Sequence, residues 1–299
     1  MRSPADPGQP CRAYFGREGA KRMRIVVTGG SGKGGAWVLR ELRDHGHDVL
    51  NVDVRHDGSP FGQCLLADLT DLGQVQDALA GADAVVHFAA IPAPRLRPEG
   101  ETFRNNALST YNVFAAAVAH RVRRVVWASS ETVLGLPFDI PPAFAPIDET
   151  IEPRPESSYA LSKLIGESMA AQFARRSGIG FVGLRISNIM EPGDYAAFPS
   201  YWEDARLRKW NLWGYVDARD VAQAARRAID APIEGAEICI VAAGDTVMRR
   251  PSADLMAEVF PAVPLRRRID GRETLLSIDR ARRLLGYEPA HRWEDEMRT

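Results

Sequence analysis

A tyrosine and a lysine stand four positions apart in the segment SSYALSKLIGE, whose composition predicts a helix. Positions i and i+4 share one helix face, so Tyr159 and Lys163 are expected to meet the same ligand. A phenol beside this ammonium and a positively charged ligand is expected to have a lowered pKa and to exchange a proton with a hydroxyl or carbonyl group. The alternative is an ordinary helix with a core-facing tyrosine and a surface lysine.

Two serines, Ser129 and Ser130, end an apolar run in the segment WASSETVLG. In a parallel sheet, ligands bind beyond the carboxyl ends of the strands. A serine hydroxyl at this place can hydrogen-bond a reacting oxygen and share its proton with Tyr159. Serines also end strands and cap turns for purely structural reasons, so the pattern leaves both interpretations open.

The segment TGGSGKGG follows the first apolar run and precedes a helical pattern. Gly29, Gly32 and Gly35 are spaced three apart; they allow a tight turn, a close approach to a pyrophosphate, and close packing of the helix. The helix N-terminus would add free N–H groups and partial positive charge. The pattern therefore predicts a dinucleotide site, with Lys33 and Gly34 inside the loop, whereas a flexible turn is the alternative.

The choice between NAD and NADP depends on residues near the end of the second strand. Asp53 lies 24 residues after Gly29 and can accept hydrogen bonds from a ribose 2′-hydroxyl, which favours NAD. Arg55 and Lys33 could instead receive a 2′-phosphate, so NADP stays open. Asp68, after the third strand, is expected either to meet the adenine edge or to cap the next helix.

Short apolar runs alternate with helical patterns over residues 24–186. Strands are predicted at 24–28, 48–54, 63–67, 84–89, 124–129 and 180–186, and helices at 35–44, 72–80, 99–120 and 158–177. Such alternation implies a parallel sheet covered on both faces, since each parallel pair needs a crossover. The expected fold class is α/β, a Rossmann-like doubly wound parallel sheet with a small C-terminal substrate-binding lobe.

Three parts of the chain are distinguished by their patterns. Residues 1–22 are rich in Pro, Gly and Arg and predict a disordered tail. Residues 23–186 form the predicted NAD(P)-binding domain. Residues 187–299 are mixed, with helices expected at 220–230, 252–260 and 277–285 and a strand at 237–242; they are expected to complete the sheet and to form the lobe.

Composition excludes several classes of protein. The chain has 38 basic and 39 acidic residues among 299, which gives no basic excess for nucleic acid. No apolar run approaches the roughly 18 residues that span a bilayer. The three cysteines are scattered, so they predict neither disulfides nor a metal site, and a cytoplasmic location is expected.

Taken together, the motifs carry a family resemblance. In chain order they are TGGSGKGG, Asp53, ADLTD, VVHFAA, NNALSTYNVF, ASSETVLG, YALSK and YVDARDVAQA. This order resembles the extended short-chain dehydrogenase/reductases, also called the NAD-dependent epimerase/dehydratase family, over roughly residues 23–231. The closing LLGYEPAHRW is also similar to the end of that family.

The resemblance implies roles for individual residues. It makes Ser130 the catalytic hydroxyl, Tyr159 the acid/base and Lys163 its activator, which also holds the nicotinamide ribose. The cofactor-binding set that it implies comprises Gly29, Gly32, Lys33, Gly34, Gly35, Asp53, Asp68, Leu69, Ala89, Ala90, Asn106, Tyr159 and Lys163. A homodimer built on the helices at 99–120 and 158–177 is also expected by analogy.

Three departures from the family pattern limit which of the family's reactions and substrates are expected here. Glu131 and Thr132 stand where sugar-nucleotide 4,6-dehydratases resemble each other in having Asp-Glu, so a second carboxylate for elimination is missing. The gap from 188 to 215 is short and lacks the usual glycine-rich stretch, which indicates a substrate without a nucleotide. The segment SNIMEPGDY resembles the uronate dehydrogenase branch, whose members oxidise free uronic acids with NAD.

The function expected from these observations is NAD(P)-dependent hydride transfer to or from a sugar-type hydroxyl or carbonyl, favoured as a sugar or sugar-acid dehydrogenase. The alternatives are a nucleotide-sugar epimerase with tightly bound NAD and a non-catalytic dinucleotide sensor. The candidate substrate contacts are Ser129, Glu131, Asn188, Arg185 and Trp202. Arg185 could instead pair with an acid, the aromatic residues around Trp202 could form the core of the lobe, and His87 is read as a packed core histidine.

Overall fold

The structure is a computed structural model and describes residues 22–56 and 63–297. The predicted tail lies outside the described residues except for its last position. The strands are β1 (Arg24–Thr28), β2 (Asp48–Asp53), β3 (Gln63–Leu66), β4 (Ala84–His87), β5 (Arg124–Ser130), β6 (Gly180–Ile186), β7 (Ile189–Met190), β8 (Val216–Asp217) and β9 (Ala236–Val241). The α-helices are α1 (Lys33–Asp44), α2 (Leu72–Leu79), α3 (Glu99–Ala119), α4 (Ser158–Ser177), α5 (Ala218–Asp230), α6 (Ser252–Val259), α7 (Asp279–Leu285) and α8 (Trp293–Glu296). Three 3₁₀ helices are η1 (Glu131–Leu134), η2 (Pro192–Tyr201) and η3 (Ala205–Asn211).

Seven strands form one parallel sheet in the order β3-β2-β1-β4-β5-β6-β9. The chain moves outward from β1 to β3 and then returns to the other side of β1, so a crevice opens above the carboxyl ends of β1 and β4. The predicted Rossmann-like parallel sheet is therefore confirmed. β7 and β8 form a separate two-stranded parallel sheet.

Helices cover both faces of the sheet. α1 and α5 pack on one face, and α2, α3 and α4 pack in a row on the other. β6 is buried over its whole length, and burial of each Val, Leu or Phe side chain contributes about 1.5–3 kcal/mol. This two-sided burial explains why the strands appear as continuous apolar runs in the sequence.

The chain after Ile186 contributes both to the sheet and to a second, smaller structure. β9 pairs with β6 and becomes the seventh strand, while β7, β8, η2 and η3 lie beyond the carboxyl edge. The region from 187 to 215, for which no regular element is predicted, is thus built largely from 3₁₀ turns. The division of the chain into domains at 186 stays a prediction.

In the part of the chain that the structure describes, no helix combines the length and hydropathy needed to cross a membrane. The same residues contain no group of three or more His, Cys, Asp or Glu side chains arranged to hold a metal ion.

Candidate active site

Tyr159 and Lys163 lie on the face of α4 that meets the end of β5. The helix begins where Ser157 caps it, with the Ser157 hydroxyl accepting a hydrogen bond from the Ala160 N–H at 3.1 Å. Lys163 Nζ donates to the carbonyl of Ala128 at 2.8 Å and lies 5.6 Å from the centroid of the Tyr159 ring. The four-residue spacing therefore places phenol and ammonium together.

Ser130 completes this group at the carboxyl end of β5. It shares a hydrogen bond with the Tyr159 phenol, and its hydroxyl accepts hydrogen bonds from Thr132 N–H at 3.2 Å and from the Thr132 hydroxyl at 3.0 Å. These contacts make Ser130 the N-cap of η1. Sequence reasoning did not anticipate Thr132, although its position two residues after Ser130 is typical of a capping partner.

Burial dominates the ionisation of both groups. It raises the pKa of Tyr159 to about 12, with a smaller lowering by the hydrogen bond from Ser130 and a raising by the charge of Glu131. Burial lowers the pKa of Lys163 to about 8. In the protein alone, removal of the phenolate from water outweighs the neighbours of Tyr159; the lowered pKa expected from sequence concerns a phenol that also faces a bound, positively charged nicotinamide, and it stays a prediction.

The glycine loop uses its glycines in different ways. Gly29 has φ +73°, and a Cβ there would lie 2.4 Å from the Ala89 nitrogen, so the turn after β1 can approach the backbone after β4 only because a side chain is absent. A Cβ on Gly35 would lie 2.1 Å from the Gly29 carbonyl oxygen, so α1 packs directly on the loop. A Cβ on Gly32 would meet only that same oxygen, at 3.3 Å, among the described residues.

The end of β2 is joined to the glycine loop through Asp53. Its carboxylate accepts the Ser31 N–H at 3.0 Å and the Val54 N–H at 2.8 Å. Arg55 donates to the Ser31 carbonyl at 3.5 Å. Asp53 therefore lies where the sequence placed the ribose acceptor, with Arg55 directed back to the loop.

Lys33 points away from the Asp53 side of the loop. Its Nζ forms an ion pair with Asp194 of η2 and donates to the Ile189 carbonyl at 3.3 Å. Trp37, one turn later in α1, donates to Glu191 at 2.9 Å. These contacts tie the first turn of α1 to the chain after β7, and they engage the lysine that was a candidate for a 2′-phosphate.

The remaining predicted cofactor residues are distributed around the crevice. Ala89 and Ala90 are half-buried directly after β4. Asn106 binds the backbone of Ile91 twice, accepting from its N–H at 2.8 Å and donating to its carbonyl at 3.1 Å. Asn106 thus fixes the path of the chain that leaves β4, as expected of a residue acting through backbone contacts.

Asp68 and Leu69 differ from each other in environment. Asp68 is exposed and accepts hydrogen bonds from the N–H and hydroxyl of Thr70, both at 2.8 Å. The alternative that Asp68 caps α2 is wrong, because the N-cap is Asp71, which accepts from Gly73 and Gln74. The Leu69 side chain is buried in the core.

His87 forms a neutral hydrogen-bonded chain beneath the crevice. Its Nδ1 contacts the Thr28 hydroxyl at 2.7 Å and its Nε2 contacts the Thr110 hydroxyl at 3.1 Å. Burial and the nearby charge of Lys163 lower the pKa of His87 to about 3. The geometry agrees with a packed core histidine.

Ser129 and Arg185 converge on Glu167, which lies one helical turn after Lys163 on α4. The Ser129 hydroxyl donates to Glu167 Oε1 at 2.6 Å, and Arg185 donates to the same carboxylate from Nε at 2.9 Å and Nη2 at 2.8 Å. Both partners of this ion pair are almost fully buried. Arg185 therefore takes the alternative in which it pairs with an acid, and Ser129 is held in the same cluster.

Glu131 is directed toward the chain that follows β6. Its carboxylate accepts from the Ser187 hydroxyl at 2.6 Å, from Asn211 Nδ2 at 3.2 Å and from the backbone N–H of Asn188. Asn188 thus contributes its main chain. Ser187, Asn211 and Arg208, whose charge also acts on Glu131, were missed by sequence reasoning because nothing local connects them with residue 131.

Trp202 belongs to the packing of the lobe. Its indole N–H donates to the Val247 carbonyl at 2.9 Å, and its ring lies 5.5 Å from that of Trp293. The Arg249 guanidinium covers it at 3.6 Å from the ring centroid. Trp202 therefore takes the alternative in which the aromatic residues of this segment form the lobe core.

Comparison with known proteins decides the family. The model of the NAD-dependent epimerase/dehydratase family matches residues 25–243, which include the glycine loop, Ser130, Tyr159 and Lys163. The chain belongs to this family. The resemblance stated from the motifs is thereby confirmed.

Relatives of this epimerase/dehydratase family member include dehydrogenases and epimerases. It is 30% identical over 219 residues to the uronate dehydrogenase of Pseudomonas syringae pv. tomato, covering 71% of each chain. It is 28% identical to the L-arabinose 1-dehydrogenase (NAD(P)(+)) of Haloferax volcanii, covering 73% of this chain and 86% of that one. A crystal structure of UDP-galactose 4-epimerase superposes with TM-score 0.69 at 29% identity, covering 92% and 96%.

Membership makes the chain an NAD-dependent oxidoreductase of the extended short-chain dehydrogenase/reductase type. The residues present fit NAD. No described side chain caps the first turn of α1, so its N–H groups remain for a pyrophosphate beside Gly32. The Asp53 carboxylate suits a ribose hydroxyl and disfavours a 2′-phosphate.

Proposed function

We propose that this family member is a dehydrogenase of free sugars, favouring sugar acids, which oxidises a sugar hydroxyl with NAD. The observation that carries the proposal is Arg208, a buried cation of the lobe whose charge reaches the residue after Ser130. Its side chain is 6% exposed, and its Nε has no hydrogen-bond partner among the described residues. A buried guanidinium with an unused donor suits a carboxylate.

Arg208 has no ion-pair partner within 4.0 Å among the described residues, although the charge of Glu131 acts on it from farther away. Its Nη2 donates to the Gly214 carbonyl at 3.0 Å, and the rings of Tyr201 and Trp210 lie 5.2 Å and 4.8 Å from the guanidinium carbon. Burial lowers the pKa of Arg208, whereas the charge of Glu131 raises it. A ligand carboxylate would supply the missing partner and so favour anionic sugars over neutral ones.

The lobe also supports a small substrate. The rings of Tyr195, Phe198 and Tyr215 contact one another edge to face, with Phe198 5.3 Å from Tyr195 and 5.5 Å from Tyr215. All three are fully buried, so they fill the lobe instead of offering a stacking surface for a nucleotide base. This packing agrees with the short connection between 188 and 215.

The proposed reaction uses the three converging side chains. Bound NAD supplies the hydride acceptor. Ser130 holds the substrate oxygen by a hydrogen bond, and Tyr159 accepts the hydroxyl proton. Lys163, whose ammonium lies 5.6 Å from the centroid of the Tyr159 ring, stabilises the phenolate that Tyr159 must form. Asn106 and Glu167 keep the surrounding backbone and the end of β5 in place.

A substrate screen tests this proposal. Purified protein is supplied with NAD or NADP and with neutral sugars, uronic acids or UDP-sugars, and nicotinamide reduction is followed by absorbance. We expect NADH with uronic acids. Arg208→Met is expected to raise the KM for the acid roughly 10- to 100-fold, the value of a hydrogen bond to a charged group, while the KM for a neutral sugar changes little.

Arg206→Met is the matched control, because Arg206 lies on the same helix η3 but is exposed. Its KM values should equal those of the wild type. An equal loss in both variants, or an equal effect of Arg208→Met on neutral and acidic sugars, would contradict the role given to Arg208.

A nucleotide-sugar epimerase is the second candidate. It is favoured by the similarity to the UDP-galactose 4-epimerase structure along almost its whole length. In that case a UDP-sugar would be converted to its epimer, measured by chromatography, without net NADH. The dinucleotide-sensor alternative loses its support because the chain belongs to an enzyme family and brings Ser130, Tyr159 and Lys163 together.

A homodimer and a cytoplasmic location stay proposals. α3 and α4 pack side by side, and their outer surface exposes Leu108, Tyr111, Leu161 and Ile165. Such a surface suits a four-helix contact with a second copy of the chain. Sedimentation of the wild type against Leu161→Glu is expected to show a dimer and a monomer, respectively; a monomeric wild type would contradict the proposal.

A further inference from the structure

Glu131 is a buried carboxylic acid that the proton transfer above does not use. It is the first residue of η1 and follows Ser130 directly. The donors to its carboxylate, namely the Ser187 hydroxyl, the Asn188 N–H and the Asn211 amide, all lie in the chain after β6. One carboxylate thus joins the turn that carries Ser130 to the lobe.

The charge that acts on Glu131 among the described residues is positive. Arg208 from η3 attracts the carboxylate, and Tyr159 from α4 is affected by it, with Lys163 beside Tyr159 on the same helix. In the described part of the chain, no nitrogen of Arg208 lies within 4.0 Å of the Glu131 carboxylate, so the attraction acts at longer range. Burial raises the pKa of Glu131 to about 7 despite these favourable partners. Burial thus favours the neutral form of the carboxyl group, whereas its hydrogen-bond donors and Arg208 favour the charged form.

The two forms act differently on the phenol. The negative charge of Glu131 raises the pKa of Tyr159, because a phenolate near a carboxylate is repelled. The neutral acid removes this repulsion, while the hydrogen bond between Ser130 and Tyr159 still favours the phenolate. Ser130 and Glu131 are consecutive residues, so a single turn holds both groups near the phenol.

We propose that Glu131 is a positioning residue whose carboxylate ties the turn that carries Ser130 to the lobe and whose charge, held beside the catalytic group by these hydrogen bonds, sets how readily Tyr159 gives up its proton. The inference rests on the proposed function only in assigning Tyr159 the proton transfer. Loss of a donor from the lobe would favour the neutral form of Glu131 and would ease ionisation of Tyr159. The lobe thereby influences the ionisation of Tyr159 through Glu131.

Glu131→Gln tests the proposal because it removes the charge and keeps the shape. The new amide can still accept from Ser187; its donation to Asn211 Oδ1 requires rotation of the Asn211 amide, which gives up the bond from Asn211 Nδ2 to the Gly214 carbonyl. The NAD-bound protein is titrated while tyrosinate absorbance is followed, with Tyr159→Phe as reference. We expect the pKa of Tyr159 to fall by about 1 pH unit in Glu131→Gln.

Two further variants make the result decisive. Glu149→Gln changes another partly buried glutamate, which accepts the Ile240 N–H away from Tyr159, and should leave the titration unchanged. Ser187→Ala removes one donor and is expected to give a smaller shift in the same direction. If Glu131→Gln does not fold, Ser187→Ala alone decides.

An unchanged Tyr159 titration in folded, NAD-binding Glu131→Gln overturns the proposal, as does an upward shift. A purely structural role would lower activity at every pH without moving the titration. Because the titration needs no substrate, it remains interpretable if the substrate screen fails. Where a substrate is found, the pH dependence of kcat/KM for oxidation should move to lower pH together with the titration.

Discussion

The cofactor side and the lobe of this molecule are held together by different means. Around the cofactor crevice, backbone meets backbone, as at Gly29 against Ala89 and at Gly35 against Gly29. In the lobe, side chains pair with partners far along the chain: buried Tyr215 donates to Asp245 at 2.7 Å, and partly buried Arg219 contacts Glu296 at 2.5 Å. The cofactor side depends on glycines that have no Cβ, and the lobe depends on hydrogen bonds and ion pairs between side chains.

This difference separates two kinds of failure. An added carbon in the glycine loop collides with backbone that cannot move, so it should damage cofactor binding directly. A lost partner in the lobe leaves a buried polar group unsatisfied, so it should lower stability first. Between the two regions lies the catalytic group of Ser130, Tyr159 and Lys163. Loss of the Tyr159 hydroxyl is expected to change the reaction rate most, and cofactor binding and stability least.

The largest effect is expected for Tyr159→Phe, which removes the proton acceptor and nothing else. The oxidation rate should fall about 10²- to 10⁴-fold, the usual contribution of a positioned acid or base. NAD affinity, measured by fluorescence titration, should stay close to that of the wild type, because the ring and Lys163 remain. A variant with nearly normal kcat would show that another group moves the proton.

Gly35→Ala should break the cofactor side. Its Cβ would lie 2.1 Å from the Gly29 carbonyl oxygen, so we expect loss of NAD binding and a decrease of ~3 kcal/mol in the free energy of unfolding. Gly100→Ala is the matched control, since a Cβ on this α3 residue meets no described atom within 4 Å. It should be neutral or stabilising by about 0.5–1 kcal/mol in a denaturant titration.

Lys163→Met should lower the reaction rate and at the same time raise the stability of the protein. The pKa of Lys163 falls from its ordinary value of 10.5 to about 8 on folding, so between these pH values the unfolded chain binds a proton that the folded chain does not. The free energy of unfolding of the wild type should therefore rise with pH over this window. Below the window, burial of the charged Lys163 ammonium lowers the free energy of unfolding by its full amount. Lys163→Met should abolish this rise and stabilise the protein at neutral pH by about 1–3 kcal/mol, although it is inactive.

Lys209→Met, a change of a partly exposed lysine in the lobe, serves as the control for this measurement. Thermal or urea unfolding at several pH values should show the same rise for the control and the wild type. A slope that survives in Lys163→Met would assign the proton uptake to another group.

The smallest effect is expected for Tyr215→Phe in the lobe. Loss of the phenol leaves Asp245 without its donor, so the free energy of unfolding should fall by about 1–2 kcal/mol. NAD affinity should not change, which would separate this variant from Gly35→Ala. Tyr111→Phe, on the exposed face of α3, should alter stability by less than about 0.5 kcal/mol; an equal loss in both would remove the contrast between the two regions.

The same contrast explains what could be predicted from the sequence. The order of strands and helices and the glycine loop follow from local patterns, and helix α4 and strand β6 have the predicted bounds. The partners of Glu131 and Arg185 could not be found in this way, because Glu131 is 80 residues from Asn211 and nothing in either segment indicates the other. The lowered pKa expected for Tyr159 beside a bound nicotinamide stays a prediction, and the opposing effect of burial could not be foreseen because burial has no signature in a four-residue spacing.

Strands β6 and β9 are neighbours in the sheet although 49 residues separate the end of one from the start of the other. Both ends of that connection are therefore fixed side by side, whatever its length. The segment between Ile189 and Val216 is nevertheless held at both regions of the molecule: Lys33 pairs with Asp194, and Phe198 is buried in the lobe. A change in the length of this segment should therefore alter the position of the first turn of α1 as well as the packing of the lobe.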